Sequence, residues 1–94
     1  MDIVGLIWLE EIIEKLARKH HVEIQEVRET LANSPSFRLV ERGQRPGENV
    51  YSASGQSDSG RYLIIFFIYK NDKRALIVSA RDMTAAERRR YGRK

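Results

Sequence analysis

Apolar positions along this chain follow a helical period first and a strand period afterwards. From Leu9 onward Leu9, Ile12, Ile13, Leu16 and Ala17 fall on one stripe, which His20 continues; Glu10, Glu11, Glu14, Lys15 and Arg18 lie off it. Glu11–Lys15 and Glu14–Arg18 are i,i+4 pairs in the favourable order. Lys19 and His20 close the helix, where cations suit its dipole. A second helix is expected from Glu23 to around Ala32 with Ile24, Val27 and Leu31 as its apolar stripe. Asn33, Ser34 and Pro35 end it, because proline disfavours helical geometry at the residue before it. Residues 3–8 fit either a short strand or the entry to the first helix.

Beyond Pro35 the period becomes two. Ser36 to Glu41 alternates, with Phe37, Leu39 and Glu41 on one side. Val50 to Gln56 is a strand of small polar residues, and Arg61 to Tyr69 is the central one. The YLIIFFIY run within it is rich in β-branched and aromatic residues and reads as buried on both faces, with Arg61 and Lys70 flanking it. At eight residues it is far short of the roughly 20 that a membrane helix needs. Gly43–Glu48 and Ser57–Gly60 read as turns, Asn71-Asp72 as a hairpin signal, and Arg74 to Arg81 as the last strand. Thr84-Ala85-Ala86-Glu87 is a capping box that opens a short helix reaching Tyr91. Helices grouped before consecutive strands predict an α+β domain: two N-terminal helices, a four-stranded mostly antiparallel sheet and a short C-terminal helix.

Length and charge narrow this picture. Ninety-four residues suit one domain, 1–94, small enough to bury only about 60–65% of its unfolded surface. With no cysteine there is no disulfide scaffold, thiol nucleophile or cysteine-ligated metal, which fits a reducing cytoplasm. The net charge of +4 is uneven: residues 1–48 carry −2 and residues 49–94 carry +6, with ERRRYGRK (87–94) alone carrying +4. A basic half with an interleaved aromatic suits a phosphate-bearing partner, or else a solvated tail.

Candidate chemistry is sparse. His20 and His21 point apart on a helix and lack further ligands, so no metal site is expected. His21 suits a left-handed helix cap. His20 is either a partly buried imidazole beneath the sheet or a general acid or base. No paired carboxylates, phosphate loop or serine elbow is present. The distinctive group is Arg61, Ser79, Arg81 and the ERRRY segment. Ser79 and Arg81, two apart on a strand, share a face and suit phosphate contact at a sheet rim.

These residues carry a family resemblance. KHHV (19–22), GRYLIIFFIY (60–69) and above all VSARDMTAAERRRYGRK (78–94) resemble the BrnT toxins of type II toxin–antitoxin systems, whose pattern is K-H-G-V, G-R-x-L-x-V and I-S-A-R-x-A-T-x-x-E-R-x-x-Y. The likeness runs from Trp8 to Tyr91. It implies a RelE-like fold, ribonuclease activity without metal or other cofactor, RNA as substrate, and a ribbon-helix-helix antitoxin as partner in a hetero-oligomer. It places site positions on Lys19, His20, Arg61, Ser79 and Arg81, with Glu87 and Tyr91 nearby; the basic run Arg88, Arg89 and Arg90 with Tyr91 is expected to contact nucleic acid. In the implied reaction the RNA 2′-hydroxyl attacks its own phosphate while arginines hold the developing charge. The chain departs from the pattern at His21, which stands for a glycine; at Trp8-Leu9-Glu10; and at Val50, which stands for an arginine. An RNA-binding or antitoxin-binding module without catalysis is the alternative, and a structural protein with a basic tail is a third reading.

The hairpin supplies a register condition. With Asn71-Asp72 alone as the loop, Arg81 faces Tyr62 and Arg61 lies on the opposite face. Adding Lys73 to the loop sets Arg81 against Leu63 and puts both arginines on one face. A shared arginine site therefore needs an odd-numbered loop or a bulge.

Overall fold

A computed structural model describes residues 1–93 of the chain. β1 (Gly5–Ile7) leads into α1 (Glu10–Lys15), which continues as a π-helical turn (Leu16–His20). Then come α2 (Ile24–Ala32), β2 (Ser36–Glu41), β3 (Val50–Gln56), β4 (Tyr62–Tyr69), β5 (Arg74–Asp82) and α3 (Ala85–Gly92). The sheet has five strands in the order β1-β5-β4-β3-β2; β1 pairs with β5 in parallel and all other pairs are antiparallel. The α+β class stands, but the four-stranded count is corrected to five. Gly5-Leu6-Ile7 is too short to show a period and becomes a strand only because the far end of the chain offers an edge, Arg74 to Leu76.

The two N-terminal helices pack on one face of the sheet. Leu63, Ile65 and Phe67 of β4, Ala75, Ile77 and Ala80 of β5, and Ala53 of β3 meet Leu16, Val22 and Val27 there, and all are almost fully buried. Phe37 and Tyr51 extend this core, each with its ring about 6 Å from that of Phe67. The opposite face is covered at one end only, by α3. Ile64 is buried beneath it, whereas Phe66 and Ile68 remain half-buried. The expectation of burial on both faces of β4 thus holds on the helix side and at Ile64 under α3 but not at Phe66 and Ile68, because one eight-residue helix cannot roof a five-stranded sheet.

Both helix-boundary signals act as the sequence suggests. Thr84 Oγ1 accepts from the Glu87 N–H at 3.2 Å, and the Glu87 carboxylate accepts from the Thr84 N–H at 2.8 Å. His21 takes the left-handed conformation (φ 54°, ψ 38°) that ends the first helix. An L-residue is strained there, and glycine is not. His21→Gly is therefore expected to raise stability by up to about 1 kcal/mol after the added chain entropy of glycine is offset, as urea unfolding would show.

Candidate functional site

Where the arginines point is decided by register. Near the hairpin Tyr69 pairs with Ala75, Ile68 with Leu76 and Phe67 with Ile77, as a three-residue loop (Asn71, Asp72, Lys73) requires. Lys73 is left-handed, with φ 69°. Phe66, however, pairs with Ser79, so Val78 is an extra residue on β5. Beyond it Arg81 faces Ile64 and Asp82 faces Leu63. The odd loop and the bulge both occur, and they cancel. Arg61 and Arg81 lie on opposite faces.

On the helix face Arg61 is a clamp. Its Nη1 donates to the His21 carbonyl (2.7 Å) and to Glu26 (3.1 and 3.2 Å), and its Nη2 to the His20 carbonyl (3.0 Å). Nε and Nη2 also grip the Asp82 carboxylate at 2.7 and 3.2 Å. One guanidinium thus caps the end of the first helix and ties it to α2 and β5, satisfying carbonyls that the helix leaves unpaired. Asp82 holds the Arg61 pKa up, and Arg61 in turn pulls that of Asp82 down. Lys19 is exposed on the π-helical turn, and His20 lies close enough to Asp82 to help depress it. Lys19, His20 and Arg61 are therefore gathered at this end of the helix face, apart from Ser79 and Arg81.

The open face carries the other group. Two rows run across the strands: Arg38–Ser52–Phe66–Ser79 and Ser36–Ser54–Ile64–Arg81. The Arg81 guanidinium lies 5.5 Å from the Phe66 ring centroid. Its Nη1 and Nη2 donate to the two oxygens of Glu87 at 2.8 and 3.0 Å, and Nη1 also donates to the Asp82 carbonyl at 3.1 Å. The fork of Arg81 and the capping box together pull the Glu87 carboxyl down to about 2. A group so acidic stays ionised at neutral pH and is a poor proton carrier. The basic residues of α3 diverge: Arg90 faces the sheet, whereas Arg88 lies over the Tyr62 ring at 4.1 Å, with Arg89 beside it in the same shallow groove. Tyr91 meets Tyr62 edge to face at 6.1 Å.

The alternation in SFRLVE sets Arg38 opposite Phe37 and Leu39, but nothing in the sequence marks it as a site residue, and the serines of β3 signal only a weak strand. Val50 points to the same open face, paired with Ile68. Among the described residues no three His, Asp or Glu side chains converge as a metal site would require, and no helix is long and apolar enough to cross a membrane.

A family model described as the ribonuclease toxin BrnT of type II toxin–antitoxin systems matches residues 8–87. The chain belongs to the BrnT toxin family. The fold of this BrnT-family chain is similar to that of the Brucella abortus ribonuclease toxin BrnT, known from a crystal structure at 1.1 Å resolution, with a TM-score of 0.60 and 15% identity. The match covers 85% of this chain and 96% of the other. No curated protein matches the sequence.

Two predictions separate the arginines. Arg61→Ala strands two carboxylates and two carbonyls, so it is expected to cost about 2–3 kcal/mol and to lower the melting temperature by on the order of 10 °C. For Glu87 the folded value (about 2) lies below the ordinary 4.5, so its ionised form contributes fully above pH 4.5 and the contribution is lost as pH falls toward 2. Glutamine at this position keeps the cap but not the charge. Glu87→Gln should therefore lose roughly 1–2 kcal/mol at pH 7, allowing for solvent screening of a partly exposed pair, and should show a flatter acid limb in melting temperature from pH 5 to 2.5.

Proposed function

We propose that this chain is a toxin ribonuclease of the BrnT kind that cuts RNA on the open face of its sheet. The observation carrying this reading is the Arg81 fork, fixed beside Ser79 and Phe66 on a half-covered face. In the proposed reaction the 2′-hydroxyl attacks the adjacent phosphorus, the bond to the 5′-oxygen breaks, and a 2′,3′-cyclic phosphate and a 5′-hydroxyl end result. The proton lost from the 2′-oxygen is returned to the leaving 5′-oxygen. Arg81 stabilises the charge gathering on the phosphoryl oxygens, Ser79 donates a hydrogen bond, and the Tyr91 phenol, on the adjoining helix α3, moves the proton. Phe66 offers an aromatic surface to an unstacked base. No metal or other cofactor is invoked. Lys19, His20 and Arg61 enter this proposal as support for the helix face rather than as groups on the phosphate.

The family also implies a partner. We assign this role to a ribbon-helix-helix antitoxin in a cytoplasmic complex, and the exposed Leu39 and Val40 on edge strand β2 supply apolar surface for such a contact. A second reading, RNA binding without cleavage, draws support from Glu87, which already occupies the fork of Arg81, and from Val50, where the family pattern has an arginine.

Partner-free protein in EDTA should cleave single-stranded RNA to cyclic-phosphate ends, and Arg81→Ala should slow cleavage by about 10²-fold or more at a temperature where it is still folded, its melting temperature falling about as far as that of Glu87→Gln because both break the same ion pair. Intact RNA alongside salt-sensitive binding would select the second reading. An Arg61→Ala protein that stays folded but loses only turnover would move the chemistry to the helix face.

A further inference from the structure

Beside the Arg81–Glu87 pair a cavity of about 200 Å³ separates the sheet from α3. Its floor is Ser36, Ser52 and Ser54 with Ile64, and its walls include Arg38, Arg90 and Arg93. The cause is legible in the strands: small hydroxylated residues occupy positions of β2 and β3 where larger side chains would fill the space under α3. Glu87 partitions this cavity from Arg81. The lining is net cationic: Arg38, Arg90 and Arg93 against Glu87 alone. Glu87 is committed to Arg81, and among the described residues none of Arg38, Arg90 and Arg93 is ion-paired. Three uncompensated guanidiniums around a hydroxyl floor call for an anion that also carries hydrogen-bonding groups.

We propose that this cavity is a nucleotide subsite, taking the residue of single-stranded RNA next to the bond cut at Arg81. The inference rests on the proposed function and adds the substrate's second point of contact. A flanking phosphate lies between Arg38 and Arg90, which present planar forks suited to it. Serine hydroxyls both donate and accept, and so match a ribose 2′-hydroxyl. Arg38 and Arg81 sit three strands apart, ~14 Å at the usual strand spacing, so RNA held at both crosses the sheet rather than following a strand.

The test uses a short single-stranded RNA with one 2′-deoxy substitution at the cleavage position mapped with the wild type, or unmodified if the wild type leaves it intact. Binding is read by fluorescence anisotropy across a salt series. Arg38→Ala should weaken binding about 5–10-fold and reduce the salt slope by about 0.7, the loss of one phosphate contact on a single strand. Ser54→Leu, which fills the cavity without altering charge, should weaken binding by a similar factor and leave the slope unchanged. Arg38→Lys should restore the slope and part of the affinity. On cleavable RNA both loss variants should raise KM with kcat near wild type, and thermal melts verify that each is folded. Wild-type affinity in both Arg38→Ala and Ser54→Leu overturns the subsite, and if cleavage persists the proposed reaction survives. Binding that depends on both residues in a protein that never cleaves removes the reaction and keeps the subsite. If affinity for the protein partner falls in the two variants while RNA affinity does not, the cavity holds an acidic segment of that partner and the proposal fails.

Discussion

One extra residue in β5 governs how the two ends of this molecule relate. Val78 has no counterpart on β4, so every side chain after it takes the face opposite to the one a regular hairpin would assign. Remove the bulge and Arg81 turns inward toward the helices, Asp82 turns outward, and Arg61 loses the carboxylate that both its Nε and Nη2 engage. With the bulge, two adjacent residues serve opposite faces. Asp82 completes a structural clamp on the helix side, and Arg81 is left for the open side. A short irregularity thereby divides neighbouring charges of opposite sign between stability and function, a common use of bulges beside sites.

Glu87 is the second point of dependence. Its carboxylate closes the capping box of α3 and receives both arms of the Arg81 fork. α3 buries none of its own side chains and has no apolar stripe to hold it down. The Tyr62–Tyr91 contact and the Arg88–Tyr62 stack help seat it, but Glu87 is what fixes the helix N-terminus to the sheet. The residue that positions the candidate phosphate-binding cation therefore also positions the helix that walls the site.

Much of this was legible in residue order. The middle of the first helical stripe (Ile12, Ile13 and Leu16), the capping box at Thr84, the left-handed cap at His21 and the α+β class all follow from local patterns that local physics enforces, whereas Leu9 and Ala17 at the ends of that stripe are exposed, Ala17 where the helix widens into its π-helical turn. The bulge does not follow from such patterns. Leu76, Ile77 and Val78 are apolar in succession, so no alternation of polarity reveals where the period slips. β1 fits one of the two alternatives open for residues 3–8, and local sequence cannot choose between them: three residues pair with a strand nearly 70 positions away, and only the assembled sheet supplies that edge. Within the site, Ser79 and Arg81 could be placed on one face by their spacing alone, whereas the register condition treated an odd loop and a bulge as alternatives that would each bring Arg61 and Arg81 together, and with both present they cancel. Arg38 carries no signal of its own, because an exposed arginine on an edge strand has the pattern of ordinary solubilising charge. Its meaning comes from the serines across from it, which belong to a strand joined to it only through the loop at 42–49.

The incomplete roof over the sheet then reads as part of the design. A chain of this length has little surplus burial, yet it leaves Phe66 and Ile68 half-covered and closes one end with a helix held largely by charge. An apolar helix docked there would add stability, but it would also fill the serine floor and bury Arg81. A charge-held helix leaves a polar cavity and a cation whose Nε–H and second Nη2–H have no partner among the described residues. Those two donors sit at adjacent nitrogens, so a phosphate can take them without displacing Glu87. Substrate binding and the docking of α3 can then use the same guanidinium from two sides.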